Sequence, residues 1–187
     1  MPPGGLGGRG TTLRPWQDRD APALVEAWAD PEVTAWSRGP DDRTLPAAQR
    51  WIEGWDERRT AGLALDLVIA DPADECVGEV GLTTPAAHGT TARQRGQADE
   101  AATAGRVGLL GWWLLPRGRG RGLASSTVAG FSVWLLGDGG FSALGAAIHP
   151  DNERSILVAE RAGFRRSGTA PGGELVFRLA RPQGGRA

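Results

Sequence analysis

From Val107 to Leu115 the chain reads Val-Gly-Leu-Leu-Gly-Trp-Trp-Leu-Leu, nine residues without a charge. It then breaks into Pro116-Arg117-Gly118-Arg119-Gly120-Arg121-Gly122 before Leu123 opens a new apolar pattern. The apolar run suits a central, buried strand. After it, Ala124, Val128, Phe131 and Leu135 recur at helical spacing, with Gly137 as the stop. The turn between strand and helix is the most constrained part of the chain. Its glycines let the backbone come close to a ligand and adopt positive φ. The first turn of the helix presents unpaired N–H groups, and the helix dipole favours an anion there. Arg117, Arg119 and Arg121 add forked donors suited to phosphate. Strand, glycine-arginine turn and helix together form a phosphate cradle.

Several phosphate readings fall away. A P-loop ends in Gly-Lys-Ser/Thr, and the sequence contains no lysine. A dinucleotide fingerprint belongs in an early strand-to-helix turn of a repeating pattern, whereas this turn lies late in the chain. Two bland readings compete: a disordered Arg-Gly segment that binds RNA, and a turn with no ligand. Disordered segments are not normally bracketed by an apolar strand and an amphipathic helix.

The 187 residues, 40% hydrophobic with a net charge of −1, fit one domain spanning 1–187 with an ordered core of about 11–180. That charge does not point to nucleic acid as a partner. One cysteine, Cys76, excludes an intramolecular disulfide, and two separated histidines argue against a metal site. Residues 1–10 lack the apolar segment of a signal peptide. No apolar run approaches the roughly 20 residues that span a bilayer, so a cytoplasmic protein without a membrane partner is expected.

The remaining pattern predicts a short strand over Thr11–Pro15 and a helix from Asp20-Ala21-Pro22 carrying Leu24, Val25 and Trp28 on one face. A second helix starts near Pro46, with Ala48, Trp51, Ile52 and Trp55 at i, i+3, i+4, i+7. Strands over Leu63–Ala70 and Cys76–Leu82 flank the turn Asp71–Asp74 as a hairpin. The polar segment 84–105 has no apolar period and reads as a mobile loop. A strand over Phe141–Ile148, a short helix capped by Asp151 or Asn152 and ending at Gly163, and a strand over Glu174–Leu179 complete the chain. The order gives an α+β, or mixed α/β, fold. The helix between Leu115 and Phe141 makes its flanking strands a candidate parallel pair.

Arg119-x-x-Gly122-x-Ala124, set between Gly111-Trp112-Trp113-Leu114 and Leu123-Ala124-Ser125, resembles the Gln/Arg-x-x-Gly-x-Gly/Ala signature of the GCN5-related N-acetyltransferases, the GNAT superfamily. Asn152-Glu153-Arg154-Ser155 followed by Ala162-Gly163-Phe164 looks like the family's second motif. Leu13-Arg14-Pro15-Trp16, Asp30-Pro31-Glu32-Val33 and Val77-Gly78-Glu79-Val80-Gly81-Leu82 resemble the RimJ/RimL branch, named for acetylating ribosomal-protein N-termini.

The resemblance implies a mostly antiparallel sheet of six to seven strands with a splayed parallel pair and about four helices. Acetyl-CoA would lie in the splay as co-substrate, with no metal. Its pantetheine arm would meet the backbone of Trp112, Trp113 and Leu114, and its pyrophosphate the turn Arg119, Gly120, Arg121, Gly122, Leu123, Ala124 and Ser125. Asn152 would contact the pantetheine arm, cap its helix, or do both. The amide of the Leu114 region would stabilise the oxyanion. Many relatives place a tyrosine as the acid that protonates the leaving thiolate. This sequence has no tyrosine, and Ser155 is the natural substitute. Glu79, on a strand beside the expected cleft, is the leading general base, ahead of Asp66 and His149; a solvated or paired carboxylate is the competing role.

The acceptor reading rests on proton affinity. An α-amine titrates near 8, so about a tenth is neutral at pH 7, against about one part in a few thousand of a lysine-type amine. Without an obvious base, a protein or peptide N-terminus is favoured. The alternatives are an aminoglycoside, polyamine or amino acid as acceptor, or a catalytically silent coenzyme-A-binding module. The protein is expected to be a monomer or a homodimer.

Overall fold

The computed structural model describes residues 6–8, 10–37, 39–84 and 106–181. Its strands are β1 (Thr12–Arg14), β2 (Ala64–Ala70), β3 (Cys76–Thr83), β4 (Val107–Leu114), β5 (Ala143–Ile148), β6 (Arg165–Thr169) and β7 (Leu175–Ala180). They form one sheet in the order β1-β2-β3-β4-β5-β7-β6. Every neighbouring pair is antiparallel except β4 and β5.

The β2–β3 hairpin closes through Asp71, whose Oδ1 accepts from the amides of Ala73 and Glu75 at 2.9 and 3.1 Å. Asp74 in the same turn takes φ +63°, a left-handed conformation in which Asp is enriched among non-glycine residues. Its carboxylate receives Arg14 Nε at 2.7 Å, and Arg14 also grips Asp20 with two bonds of 2.6 and 2.9 Å. One partly buried guanidinium thus ties the edge strand, the hairpin turn and the start of the first helix together.

The helices are α1 (Ala21–Ala29), α2 (Pro31–Thr34), α3 (Leu45–Glu53), α4 (Trp55–Thr60), α5 (Leu123–Leu136) and α6 (Glu153–Arg161). α5 buries Leu123, Val128, Phe131 and Leu135 against the sheet, where Leu67, Val80, Leu144 and Phe177 are also withdrawn from solvent. Buried apolar area of this kind supplies the main favourable free energy of the fold, about 25 cal/mol per Å2 removed from water.

The expected mixed α/β class and the parallel pair around the α5 crossover are observed, and the described residues form seven strands where six to seven were expected. Three details differ. The helix expected through Trp55 breaks at Gly54, and Trp55 begins α4, its indole N–H donating to the Asp66 carbonyl. α2 is a single turn, nucleated by Asp30 Oδ1 accepting from the amides of Glu32 and Val33. β6 was not expected, because Arg-Arg-Ser-Gly-Thr is exposed throughout and carries no apolar alternation. From residue 85 onward, the loop expected over 84–105 lies outside the described residues.

Candidate active site

β4 and β5 run together only at their starts, with Val107 opposite Ala143, Gly108 opposite Leu144 and Leu109 opposite Gly145. Beyond Leu109 the strands diverge. β4 continues along β3 as far as Leu114 opposite Gly78, and β5 continues along β7 as far as Ile148 opposite Leu175. The divergence opens a cleft of about 1320 Å3 between Leu110–Leu114 and Ala146–Ile148.

The antiparallel pattern says which backbone groups face that gap. The Leu115 amide donates to Val77 O at 2.9 Å, so the neighbouring pair Leu114–Gly78 is of the non-hydrogen-bonded kind. The N–H and C=O of Leu114, and by the same alternation those of Trp112, therefore point away from β3 into the opening. Trp113 directs its backbone toward β3 and its indole Nε1 to Glu79 Oε1 at 3.3 Å.

Below the gap, Gly120 and Gly122 both take φ +74°, and Gly122 is the N-cap of α5 with no side chain capping the helix. A Cβ on either glycine would meet nothing within 4 Å. Their backbone is thus open on the side where a ligand approaches, and the first-turn amides of α5 are left without an intrahelical partner. Leu123, Ala124 and Ser125 line the same cleft. These features fit a pyrophosphate.

The turn's arginines divide their roles. Arg119 lines the cleft, but its guanidinium is turned back: Nε donates to Leu114 O at 2.9 Å, and its other nitrogens reach Asp30 at 2.9 Å and Glu32 at 3.3 Å. Arg117 donates to Glu26 and to Cys76 O. Arg121 is exposed and lies off the cleft lining. The sequence pointed all three at the ligand; apart from Leu114, the partners of Arg119 and Arg117 are Asp30, Glu32, Glu26 and Cys76, remote in the sequence.

On the opposite wall, Asn152 Oδ1 accepts from the Ser155 amide at 3.1 Å, so Asn152 caps α6. Asn152 and Ser155 both line the cleft. At the mouth, Glu32 also accepts from Arg154, and the Trp36 ring lies 5.2 Å from the His149 ring. Two contacts from the α2 region thus span from the N-terminal part of the chain to the wall carrying α6.

The end of the cleft beside β3 is walled by tryptophans and holds two acids. Trp16 packs edge-on to Trp51 at 5.4 Å and lies 6.3 Å from Trp113. Glu79 and Asp66 lie on one face of the β2–β3 pair, Asp66 opposite Gly81 and Glu79 opposite Val68. Desolvation, and then the charge of Asp66, push the Glu79 carboxyl well above the usual carboxylate range. The Trp113 indole and Arg58 oppose that shift. Desolvation raises Asp66 as well, against Arg58. Asp66 could be found in the sequence as the lone acid inside an apolar strand; that it faces Glu79 depends on register.

A family model described as an acetyltransferase (GNAT) domain matches residues 11–165. Among solved structures, the chain is similar to an acetyltransferase from Agrobacterium tumefaciens, at 25% identity and TM-score 0.70 over 93% of this chain and 92% of that one. It is similar to the ribosomal-protein-S5-alanine acetyltransferase from Vibrio fischeri, at 17% identity and TM-score 0.72 over 94% and 95%. It is also similar to AAC(6')-Ib in complex with paromomycin and acetyl-CoA, at 20% identity and TM-score 0.68 over 92% and 94%. No protein of curated function matches the sequence.

Proposed function

This chain belongs to the GNAT acetyltransferase family, and from that membership we propose that it transfers an acetyl group from acetyl-CoA to a protein or peptide N-terminal α-amine by direct attack on the thioester. The observation that carries the reading is the divergence of β4 from β5 directly above the glycine turn that opens α5.

Acetyl-CoA supplies an activated carbonyl and a leaving thiolate; the chain's residues do the rest. The amides from Gly120 to Ser125 hold the pyrophosphate at the helix N-terminus. The backbone of Trp112 and Leu114 orients the pantetheine arm, with the Trp113 side chain beside it and Asn152 on the far wall. The Leu114 N–H faces the gap and stabilises the negative charge that develops on the carbonyl oxygen, a fixed donor that needs no reorganisation. Arg119 holds the Leu114 carbonyl, which fixes that peptide's neighbourhood. Glu79 receives the amine proton, and Ser155 protonates the leaving thiolate.

A second reading has its own support. The acidic, tryptophan-walled end of the cleft also suits a cationic small molecule such as an aminoglycoside or polyamine. Following thiol release from acetyl-CoA with free and N-blocked peptides, polyamines and aminoglycosides separates the two. Faster turnover of peptides with free N-termini supports the proposal. Preference for polyamines or aminoglycosides overturns its acceptor, and no thiol release with any amine leaves a silent coenzyme-A binder.

A further inference from the structure

The geometry points to Asp66 as a positioning residue for the transfer: it pairs with Glu79 across Gly81 so that the two carboxylates together receive the acceptor as a primary ammonium ion and Glu79 takes its proton. This rests on the reading of the cleft as an amine-acetylating site. The placement begins with register. Asp66 stands opposite Gly81, and Glu79 lies diagonally beyond it on the same face. A Cβ on Gly81 would lie 2.7 Å from Asp66 Oδ1 and 3.8 Å from Glu79 Oε1. The missing side chain at Gly81 is therefore what lets the two acids share one space.

Among the described residues, the groups that face this space are Arg58, Trp113 and Trp16. Arg58 of α4 lies with its guanidinium 4.3 Å over the Trp51 ring and donates to Trp51 O at 3.0 Å, and it draws both carboxyls downward. Trp113 of β4 donates to Glu79. Trp16, only 5% exposed, turns its indole N–H toward Glu79 without completing a well-aligned hydrogen bond, and it too draws that carboxyl downward. Two indole donors, from Trp16 and Trp113, thus face the Glu79 carboxyl. The aromatic walls suit a cation.

Protons and charge balance. The doubly ionised pair carries −2 and binds R–NH3+, giving a net −1. One N–H bond breaks and one O–H bond forms on Glu79. The singly protonated pair at −1 then faces a neutral amine with a free lone pair. Two adjacent carboxylates hold a first proton more tightly than either would alone. The transfer from an α-ammonium is therefore close to balanced, which a lone solvated glutamate would not achieve.

The test is the pH dependence of kcat/KM for a peptide acceptor. Asp66→Asn should move the acid limb to lower pH by about one unit and raise the acceptor KM, leaving acetyl-CoA affinity unchanged. Asp66→Glu, which keeps the charge, should restore the limb toward its original position. Removing the opposing cation by Arg58→Met should move the limb the other way, and it gives an independent reading if Asp66→Asn folds poorly. An acid limb unmoved in Asp66→Asn, or moved to higher pH, overturns the inference. A 13C titration of the Glu79 carboxyl in the free enzyme reads the same pairing without any acceptor. A wild type that turns over no amine would thus refute the transferase reading while this titration still decides the pairing.

Discussion

Two carboxylates placed side by side in a half-buried pocket cost the folded state something. Desolvation, and for Glu79 the charge of Asp66 as well, hold the two carboxyls protonated to higher pH than in an unfolded chain. Above the ordinary carboxylate value of about 4, the unfolded chain ionises freely while the folded one resists, so folding loses free energy as pH rises. Glu79→Gln should remove that loss. Its thermal midpoint should exceed the wild type's, by a margin that grows from acid to neutral pH, as scanning calorimetry across pH would show; an equal margin at every pH contradicts it. Ser155→Ala should lower kcat roughly a hundredfold if its hydroxyl protonates the thiolate. The acetyl-CoA dissociation constant should stay where it was, since the Ser155 contact with the Asn152 cap is through its backbone. An unaltered rate assigns that proton to water.

At the scale of elements, the turn before α5 and the single-turn helix α2 act as one assembly. Gly122 is left-handed and its Cα faces open space, so a side chain there would project where the pyrophosphate is expected. Gly122→Glu should weaken acetyl-CoA binding at least tenfold, about 1.4 kcal/mol, by calorimetric titration. Asp30 caps α2 and anchors Arg119. Burial pushes its carboxyl up, but Arg119 and the amides of Glu32 and Val33 outweigh that and hold it below the usual range. Its contribution is complete above about pH 4 and is lost as pH falls through the lower folded value. Asp30→Ala should cost about 1 kcal/mol through the cap alone. Asp30→Asn should keep the cap and lose the arginine anchor, and urea melts of the two variants separate those effects.

For the whole molecule, the two parts of the sheet meet through three residue pairs of β4 and β5, supplemented by α5. A ligand seated in the divergence touches both walls. Acetyl-CoA at a hundred times its dissociation constant should stabilise the protein by about 2.7 kcal/mol. Amide exchange should slow most at Trp112 and Leu114, whose N–H groups face the gap; protection confined to α5 would contradict the placement. The strand, turn and helix from Val107 to Leu136 were legible in the sequence because they follow one another along the chain. The break at Gly54 was hidden because Trp55 continues the apolar spacing of α3 while serving α4. β6 was hidden because none of its side chains is buried. Glu79 could be named from its strand, but its relation to Asp66 depends on how a hairpin with a register shift at Ile69 and Ala70 aligns. Pairwise register of that kind is not written in any one strand.

The parting of β4 from β5 has a consequence for handling the protein. Past Leu109, β4 presents main-chain donors and acceptors on a strand edge of the sort that ordinarily recruits a second chain and seeds aggregates. Here the edge is recessed inside a cleft, with the α2 region reaching across its mouth to Arg154 and His149. Loosening that crossing by Glu32→Ala should make the purified enzyme more prone to aggregate on storage, and added coenzyme A should protect it by covering the same edge.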